Sequence, residues 1–391
     1  MRCGEATPGR KAARRRNRRG GRIVGSQTVR ARGRSRGWRS DVETLLVTGG
    51  SGFIGSNFVR HVLAAHPEAR VVNVDALTYA ADPGNLADAA RDSRYAFVCA
   101  DVRDAAAMAD VFARFSPDTV VHFAAETHVD RSIAAPLLFH DVNAGGTVSL
   151  LEAARAAWGV QPVSSHRRLF LHVSTDEVYG HLPLASSGDD AFRESAPLRP
   201  RSPYAASKAA AEMYVRAFAQ TYGLPTAVVR CSNNYGPRQH AEKLIPKAIA
   251  CAFAGEPFPL YGTGGNVRDW LHVDDCCRGI WAAVRAGRPG EAYNLGGSCP
   301  RSNAQVLAAL HRELPRRIAG LTLPTPATVR VSDRPGHDLR YAMNCEKAAR
   351  ELGWRPRIGF EEGLRSTILH YASEMPGPAV ASAGAAGSEG R

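Results

Sequence analysis

The 391-residue sequence predicts an α/β fold, in which a doubly wound parallel sheet is followed by a smaller α/β lobe. Between residues 43 and 230, short apolar runs alternate with longer segments whose apolar residues recur at helical spacing. A glycine-rich turn follows the first apolar run, and after residue 231 the alternation gives way to loops rich in Gly and Pro. Regular strand–helix alternation implies right-handed crossovers, which build a parallel sheet with helices on both faces.

The alternation predicts each element of the sheet in turn. The predicted strands are residues 43–48, 71–75, 95–100, 119–122, 169–174 and 225–230. The predicted helices are residues 53–65, 104–115, 136–158 and 202–222. Such sheets bind ligands at the carboxyl ends of their strands, so polar residues that follow a strand are candidates for a functional site.

The positive charge of the chain is concentrated at its N-terminus. The formal net charge is +13, and residues 1–40 carry fourteen Lys and Arg against one acid, so the remainder is neutral. This Arg- and Gly-rich segment has little apolar periodicity, and we predict that residues 1–42 form a disordered leader. Four interpretations stay open: binding to RNA or an anionic surface, a targeting peptide, a twin-arginine export signal, or translation from too early a start codon. No apolar stretch follows Arg18-Arg19, which disfavours export.

The cysteines and the hydropathy bound the class of protein. Eight scattered cysteines include no C-x-x-C pair, which favours reduced thiols and a cytoplasmic location. No run of 18 apolar residues predicts a membrane span. The neutral charge after residue 40 makes nucleic acid an unlikely partner of the folded part, and no metal site is predicted.

A dinucleotide site is predicted where the first strand meets the first helix. Glycines there let the backbone turn tightly and approach a pyrophosphate at the helix N-terminus. Asp75 ends the second predicted strand, where a carboxylate binds ribose hydroxyls and repels a 2′-phosphate, so NAD is favoured over NADP. The alternative is a glycine turn that only packs the helix, with a solvent-exposed Asp75. The predicted pyrophosphate-binding residues are Gly49, Gly52, Phe53, Ile54 and Gly55.

Two further strand ends extend this Rossmann-type site. Asp101 and Val102 follow the third strand, beside the expected adenine, although a loop acid there has no necessary function. Ala124 and Ala125 follow the fourth strand, where a dinucleotide would cross the sheet edge, and core packing is the competing explanation.

Five residues after the fifth strand predict the chemistry. Tyr204 and Lys208 lie four apart on a helix, hence on one face. A nearby ammonium and a nicotinamide cation both favour the phenolate of Tyr204, which makes it a base for a hydroxyl proton. Thr175, Asp176 and Glu177 follow the strand directly, and two carboxylates beside a redox pair indicate that redox is only part of the reaction. A surface Tyr–Lys pair and two solvated loop acids are the alternatives.

Several longer sequence motifs are shared with one family. They are TGGSGFIGSNFVRHVL, NVDALTYA, FAAETHVDRS, STDEVYG, SPYAASKAAAE, SNNYGPRQHAEKLIPK, GNVRDWLHVDD, YNLGG and DRPGHDLRYAMN. In these motifs the chain resembles the dTDP-glucose 4,6-dehydratases, a family of the extended short-chain dehydrogenase/reductase superfamily (NAD-dependent epimerases and dehydratases). The resemblance covers residues 43 to about 370. The sequence differs from the motifs usual in the family near residues 78–86 and at His240-Ala241.

The resemblance implies a reaction and a role for each catalytic residue. Tyr204, with Lys208 beside it, would deprotonate the C4 hydroxyl as hydride moves to NAD, and Thr175 would hydrogen-bond that oxygen. Glu177 would then remove the C5 proton, and Asp176 would protonate the departing C6 hydroxyl. Hydride would return to C6, giving dTDP-4-keto-6-deoxyglucose.

The resemblance also implies a set of contact residues. Arg268 and Arg334 suit a bidentate grip on a diphosphate, and Tyr261 offers a flat face for a base. Asn143 matches a cofactor-pocket position, with a helix cap as the alternative. The implied substrate-binding residues are Thr127, Thr175, Asn233, Lys243, Leu244, Tyr261, Arg268, Asn303, Arg334 and His337.

These patterns divide the chain into a leader (1–42), an NAD-binding domain (43–230), a mainly substrate-binding lobe (231–372) and a flexible tail (373–391). The resemblance implies a nucleotide-sugar substrate and a homodimer that packs through residues 136–158 and 202–222. The alternatives are a UDP-glucose 4,6-dehydratase, a UDP-glucuronate decarboxylase, a 4-epimerase, or a non-catalytic Rossmann scaffold with an RNA-binding leader. Epimerases need no elimination pair, and decarboxylases generally keep the glutamate but lack the aspartate.

Overall fold

A computed structural model describes residues 43–159, 168–185, 190–333 and 336–375. The predicted leader, Arg334 and residues 376–391 of the predicted tail lie outside the described residues. The described strands are β1 (Thr44–Thr48), β2 (Arg70–Asp75), β3 (Tyr95–Cys99), β4 (Thr119–His122), β5 (Leu169–Thr175), β6 (Thr226–Cys231), β7 (Asn233–Tyr235), β8 (Phe258–Tyr261), β9 (Val267–His272), β10 (Ala292–Leu295), β11 (Pro300–Ser302) and β12 (Thr328–Val331).

The described helices lie between and after these strands. They are α1 (Phe53–Ala65), α2 (Ala105–Phe115), α3 (Val129–Ala134), α4 (Pro136–Phe139), α5 (Gly146–Trp158), α6 (Pro203–Tyr222), α7 (Leu244–Ala254), α8 (Val273–Ala286), α9 (Asn303–Arg317), α10 (Glu346–Leu352) and α11 (Phe360–Glu374). The last helix therefore includes the first two residues of the predicted tail.

A parallel sheet forms the centre of the fold. Its described strands follow the order β10-β6-β5-β4-β1-β2-β3. Every residue of β1, β4, β5 and β6 is buried, because helices cover both faces of the sheet. The fold class is confirmed, and the six predicted strands agree with the structure to within one residue at each end.

Local signals explain where the helices begin and end. The Asp104 carboxylate accepts hydrogen bonds of 3.0 Å from Ala106 N and Ala107 N at the start of α2. Ser202 Oγ accepts from Ala205 N at 3.1 Å at the start of α6, and Gly223 ends that helix with φ of 65°. The predicted helix at 136–158 is interrupted by a π-helical stretch, His140–Gly145, of a kind that often occurs near functional sites.

The second half of the chain builds a smaller lobe and also completes the sheet. Strands β11, β9 and β7 form one small sheet and β12 pairs with β8, over a core shared by α7, α9 and α11. Strand β10 instead runs parallel to β6 in the central sheet, with Ala292 opposite Val228. The central sheet thus takes chain from both sides of residue 230, and the described residues belong to one compact unit. The predicted boundary at residue 230 stays a prediction.

Of the helices in the described ranges, none is both long and apolar enough to cross a membrane. Within the same ranges, no group of three or more His, Cys, Asp or Glu side chains is placed to hold a metal ion.

Candidate active site

Two adjoining cavities, both lined by described residues, lie at the carboxyl ends of the parallel strands. The first cavity, of about 380 Å³, runs past the ends of β1, β2, β4 and β5. The second cavity, of about 210 Å³, lies between the sheet and the smaller lobe. Both are lined by Thr127, Glu177, Asn233, Glu242 and Lys243. Glu177 therefore stands where the two spaces meet.

The glycine-rich turn forms one wall of the first cavity. Gly49 has φ of +70°, and a Cβ there would lie 2.6 Å from Ala124 N. A Cβ on Gly55 would lie 2.2 Å from the Gly49 carbonyl oxygen. Glycine is therefore required at both positions, and the bare backbone leads into the N-terminus of α1, which suits a pyrophosphate. The cavity-lining residues of this turn are the predicted pyrophosphate-binding residues Gly49, Gly52, Phe53, Ile54 and Gly55.

Asp75 lies at the end of β2, on the wall of the same cavity. Its carboxylate accepts hydrogen bonds from Ser51 N at 2.9 Å and from Leu77 N at 2.8 Å. Burial raises the pKa of Asp75, and these two hydrogen bonds oppose the rise. The side chain is thereby fixed beside the glycine turn, where the residues present fit a dinucleotide.

Four of the other predicted cofactor residues line the first cavity. They are Asp101, Val102, Ala124 and Ala125. Asp101 also binds Arg103 Nη2 at 2.7 Å, and this hydrogen bond lowers the pKa of Asp101.

Asn143, predicted as a cofactor-pocket residue, ties two segments together. Its Oδ1 accepts from Glu126 N at 2.8 Å, and its Nδ2 donates to Glu126 O at 2.9 Å and to Ser207 Oγ at 2.8 Å. The neighbouring Val142, rather than Asn143, lines the first cavity. The buried amide thus holds the chain after β4 against α6, which carries Tyr204 and Lys208.

Tyr204 and Lys208 lie one turn apart on α6, and both line the first cavity. Lys208 Nζ donates to Val173 O at 2.8 Å, and burial lowers the pKa of Lys208 to about 8. Burial raises the pKa of Tyr204, and the charge of Glu177 raises it further, against a hydrogen bond with Thr175. The protein alone therefore keeps Tyr204 protonated, so the predicted phenolate depends on the positive charge of a bound cofactor.

Thr175, Asp176 and Glu177 leave the end of β5 together. Thr175 Oγ1 accepts from Glu177 N at 3.3 Å and donates to Asp176 Oδ1 at the same distance. Asp176 is only 2% exposed, and its Oδ2 has no hydrogen-bond partner among the described residues. Burial, followed by the charges of Glu177 and Asp269, raises the pKa of Asp176 well above its usual value. The two adjacent carboxyl groups therefore stand in different environments, and burial favours the protonated form of Asp176.

Most of the predicted substrate residues meet around the second cavity. Those that line it are Thr127, Asn233, Lys243, Leu244, Arg268, Asn303 and His337. Thr175 lines the first cavity instead. Tyr261 ends β8 and is not among the residues lining either cavity, and Arg334 lies outside the described residues.

Arg268 is held rigidly beside the second cavity. Its guanidinium donates to Val267 O at 2.9 Å and to Asp338 O at 3.0 Å, and it lies 4.4 Å from the ring centroid of Tyr341. The Tyr341 hydroxyl in turn donates to Asp338 Oδ2 at 2.6 Å. Sequence analysis missed Tyr341 and Asp338 as site residues, although both lie in the shared motif DRPGHDLRYAMN.

Comparison with known proteins decides the family. The family model described as GDP-mannose 4,6 dehydratase matches residues 46–367. The chain belongs to this dehydratase family. Within the family, it is similar to the dTDP-glucose 4,6-dehydratase of Neisseria meningitidis serogroup B, with 49% identity over 332 residues, which is 84% of this chain and 92% of the relative. The resemblance inferred from the sequence is confirmed.

Solved structures of dehydratases and epimerases share the fold. The dTDP-glucose 4,6-dehydratase DesIV of Streptomyces venezuelae, solved with NAD bound, is 45% identical, with a TM-score of 0.77 over 84% of this chain and 97% of that one. The UDP-glucose 4-epimerase of Thermotoga maritima is 28% identical, with a TM-score of 0.74 over 85% of this chain and 99% of that one. Because both enzyme classes share the architecture of this dehydratase family, the side chains of the site must distinguish them.

Proposed function

We propose that the chain is an NAD-dependent hydro-lyase that converts dTDP-glucose to dTDP-4-keto-6-deoxyglucose. The observation that carries this proposal is the pairing of a buried Asp176, whose pKa is raised, with Glu177, next to Tyr204 and Lys208. The relatives that bear the name of this activity, with identity of up to 49%, support it.

One cavity suits the cofactor, and the other suits the sugar nucleotide. The glycine turn and Asp75 would bind NAD in the first cavity, and Arg268 would bind the diphosphate of the sugar nucleotide in the second. NAD, when bound, supplies the hydride acceptor at C4 of the sugar and the hydride donor to C6. Glu177, which lines both cavities, is then adjacent to the sugar.

Oxidation at C4 needs a base. Tyr204 removes the hydroxyl proton, and Thr175 hydrogen-bonds the same oxygen, which becomes a ketone. Lys208 stays anchored to the carbonyl of Val173 and carries its charge next to Tyr204.

Elimination of water needs a separate base and acid. The new 4-ketone acidifies the C5 proton, and Glu177 removes it. The protonated Glu177 returns a proton to C5 when hydride adds to C6. Asp176 donates its proton to the C6 hydroxyl, which leaves as water. Acid and base act in the same elimination, so their pKa values must differ, as the burial of Asp176 brings about.

The competing activities fit these side chains less well. A 4-epimerase needs no elimination pair and would have no use for a buried acid at Asp176. A UDP-glucuronate decarboxylase would keep Glu177 but generally lack the aspartate. A non-catalytic scaffold would not need an enclosed Thr175, Tyr204 and Lys208. A UDP-glucose 4,6-dehydratase uses the same chemistry, and its substrate differs only in the nucleobase.

A direct assay tests the proposal. The full chain is incubated with dTDP-glucose or UDP-glucose, without added reductant, and the 4-keto-6-deoxy product is measured. We expect product from dTDP-glucose, with Tyr204→Phe as the inactive control. Product from UDP-glucose but not from dTDP-glucose would instead identify a UDP-glucose 4,6-dehydratase. NAD-loaded protein that yields product from neither sugar would overturn it.

We also infer a homodimer and a cytoplasmic location. Exposed apolar side chains on α4 and α6 support an interface on the segments predicted for it, among them Leu137, Leu138, Met213 and Tyr214. Thiols support the location, since Cys231 and Cys276 remain unlinked with their sulfurs 3.5 Å apart.

A further inference from the structure

Two segments face each other across the mouth of the first cavity. The loop after β2 contributes Thr78, Ala80 and Ala81 to the cavity wall. The segment before α7 contributes Gln239, His240, Glu242 and Lys243 to the same wall. The two segments are joined by a direct side-chain contact.

Tyr79 joins the two segments. Its hydroxyl donates to Glu242 Oε1 at 3.3 Å, and its ring lies edge-on to the His240 ring, with 5.7 Å between centroids. The Arg131 guanidinium of α3 stacks on the other part of the ring, 3.6 Å from its centroid. One side chain therefore connects the β2 loop, α3 and the segment before α7.

Glu242 anchors this connection on the opposite side. Its carboxylate lies 3.6 Å from His128 Nε2 and 3.7 Å from Lys243 Nζ, and it lines both cavities. Burial, followed by the charge of Glu242, raises the pKa of Tyr79 to about 12. The Tyr79 hydroxyl therefore stays protonated at neutral pH and remains a hydrogen-bond donor to Glu242.

We propose that Tyr79, clasped between Arg131 and Glu242, is a cofactor-retaining residue that closes the β2 loop over the dinucleotide in the first cavity. The inference rests on the proposed function for the identity of the dinucleotide. It also has a chemical rationale. The reaction returns the hydride it takes, so the cofactor is regenerated in each turnover and need not leave. A closed mouth then costs nothing in rate, unlike in a dehydrogenase that exchanges its cofactor.

The contacts set the size of the expected effect. Losing both the cation–π contact and the hydrogen bond to the Glu242 carboxylate should speed the release of NAD by roughly tenfold or more. Removing only the hydroxyl should speed release roughly fivefold, because the ring keeps its contacts with Arg131 and His240.

The test measures NAD release from the full chain rather than activity. Protein loaded with isotopically labelled NAD is chased with unlabelled NAD, and the dissociation rate is compared for wild type, Tyr79→Phe, Tyr79→Ala and Arg131→Met. Tyr222→Ala is the matched control, because Tyr222 also lies under a guanidinium, that of Arg155 at 4.9 Å, but outside both cavities. We expect the order wild type, Phe, Ala from slowest to fastest, faster release from Arg131→Met, and a wild-type rate in the control.

Each outcome bears on a separate claim. Wild-type release rates in folded Tyr79→Ala and Arg131→Met would overturn the retaining role and leave the proposed function intact. If Tyr79→Ala does not fold, the rate of Tyr79→Phe decides alone, and a wild-type rate overturns the inference. Failure of the wild-type chain to bind NAD would overturn the proposed function itself, and with it the identity of the retained ligand.

Discussion

Asp176 and Glu177 are chemically almost identical neighbours with different roles. Asp176 is buried to 2% exposure, while Glu177 reaches the junction of both cavities. The charge of Asp269, which comes from β9 in the smaller lobe, adds to the effect of burial on Asp176. Position in the fold, rather than residue type, thus raises the pKa of the Asp176 carboxyl group.

Asp176→Asn keeps the shape of the side chain but removes its transferable proton. We expect the elimination to slow by about 100-fold or more, while the initial oxidation of the sugar changes little. Rapid-mixing measurements of transient cofactor reduction and of product formation separate the two steps. The exposed Asp110 of α2 provides the control Asp110→Asn. Equal slowing of both steps would contradict the role of Asp176 as acid.

The raised pKa of Asp176 also gives the sign of two pH dependences. The acid acts when protonated, so the elimination rate of the wild type should fall as pH rises through this pKa. Because the pKa is raised in the folded state, the stability contribution of Asp176 is complete below its unfolded pKa and is lost as pH rises through the folded value. Thermal melting across this range should show the decrease in the wild type and not in Asp176→Asn, and identical curves would contradict the assignment.

At the scale of elements, the glycine turn and α1 form one unit. Alanine usually stabilises a helix by up to about 1 kcal/mol relative to glycine. At Gly55 that gain is lost, because the new Cβ would lie 2.2 Å from a backbone oxygen of the turn. The close approach that suits a pyrophosphate is therefore also a packing requirement of the helix.

A pair of identical substitutions tests this requirement. Gly55→Ala should destabilise the chain by about 1–3 kcal/mol through overpacking and should abolish NAD binding. Gly145→Ala, at a helical position with its nearest contact at 3.9 Å, should be neutral or stabilise the chain by up to about 1 kcal/mol. Urea unfolding and NAD titration measure both effects. A Gly55→Ala variant that is as stable as the wild type would show that the turn can relax.

At the scale of the whole molecule, the helices α3, α4 and α6 present an apolar surface. Leu137 is 75% exposed, and Met213 on α6 is 46% exposed. If this surface forms the proposed dimer, Leu137→Glu and Met213→Glu should produce monomers, because a charge would be buried without a partner. Light scattering coupled to gel filtration measures the mass. Leu184→Glu, at a residue 52% exposed and away from these helices, is the control. A monomeric wild type would overturn the proposed dimer.

Local patterns in the sequence determined the elements of the sheet, the glycine turn and the residues of the catalytic loop. Periodicity, helix caps such as Ser202, and strand-end polar residues act over a few positions, so they are readable without the fold. The sequence also identified the family, because the shared motifs follow one another in order along the domain.

Tertiary structure alone decided the rest. It brought β10 into the central sheet from beyond residue 230, placed Asp269 near Asp176, set Tyr341 under Arg268 and joined Tyr79 to Glu242. Each of these contacts links positions far apart in the chain, and Asp176 becomes an acid only when distant segments exclude water from it. No local pattern encodes that exclusion, because burial is a property of the packed molecule.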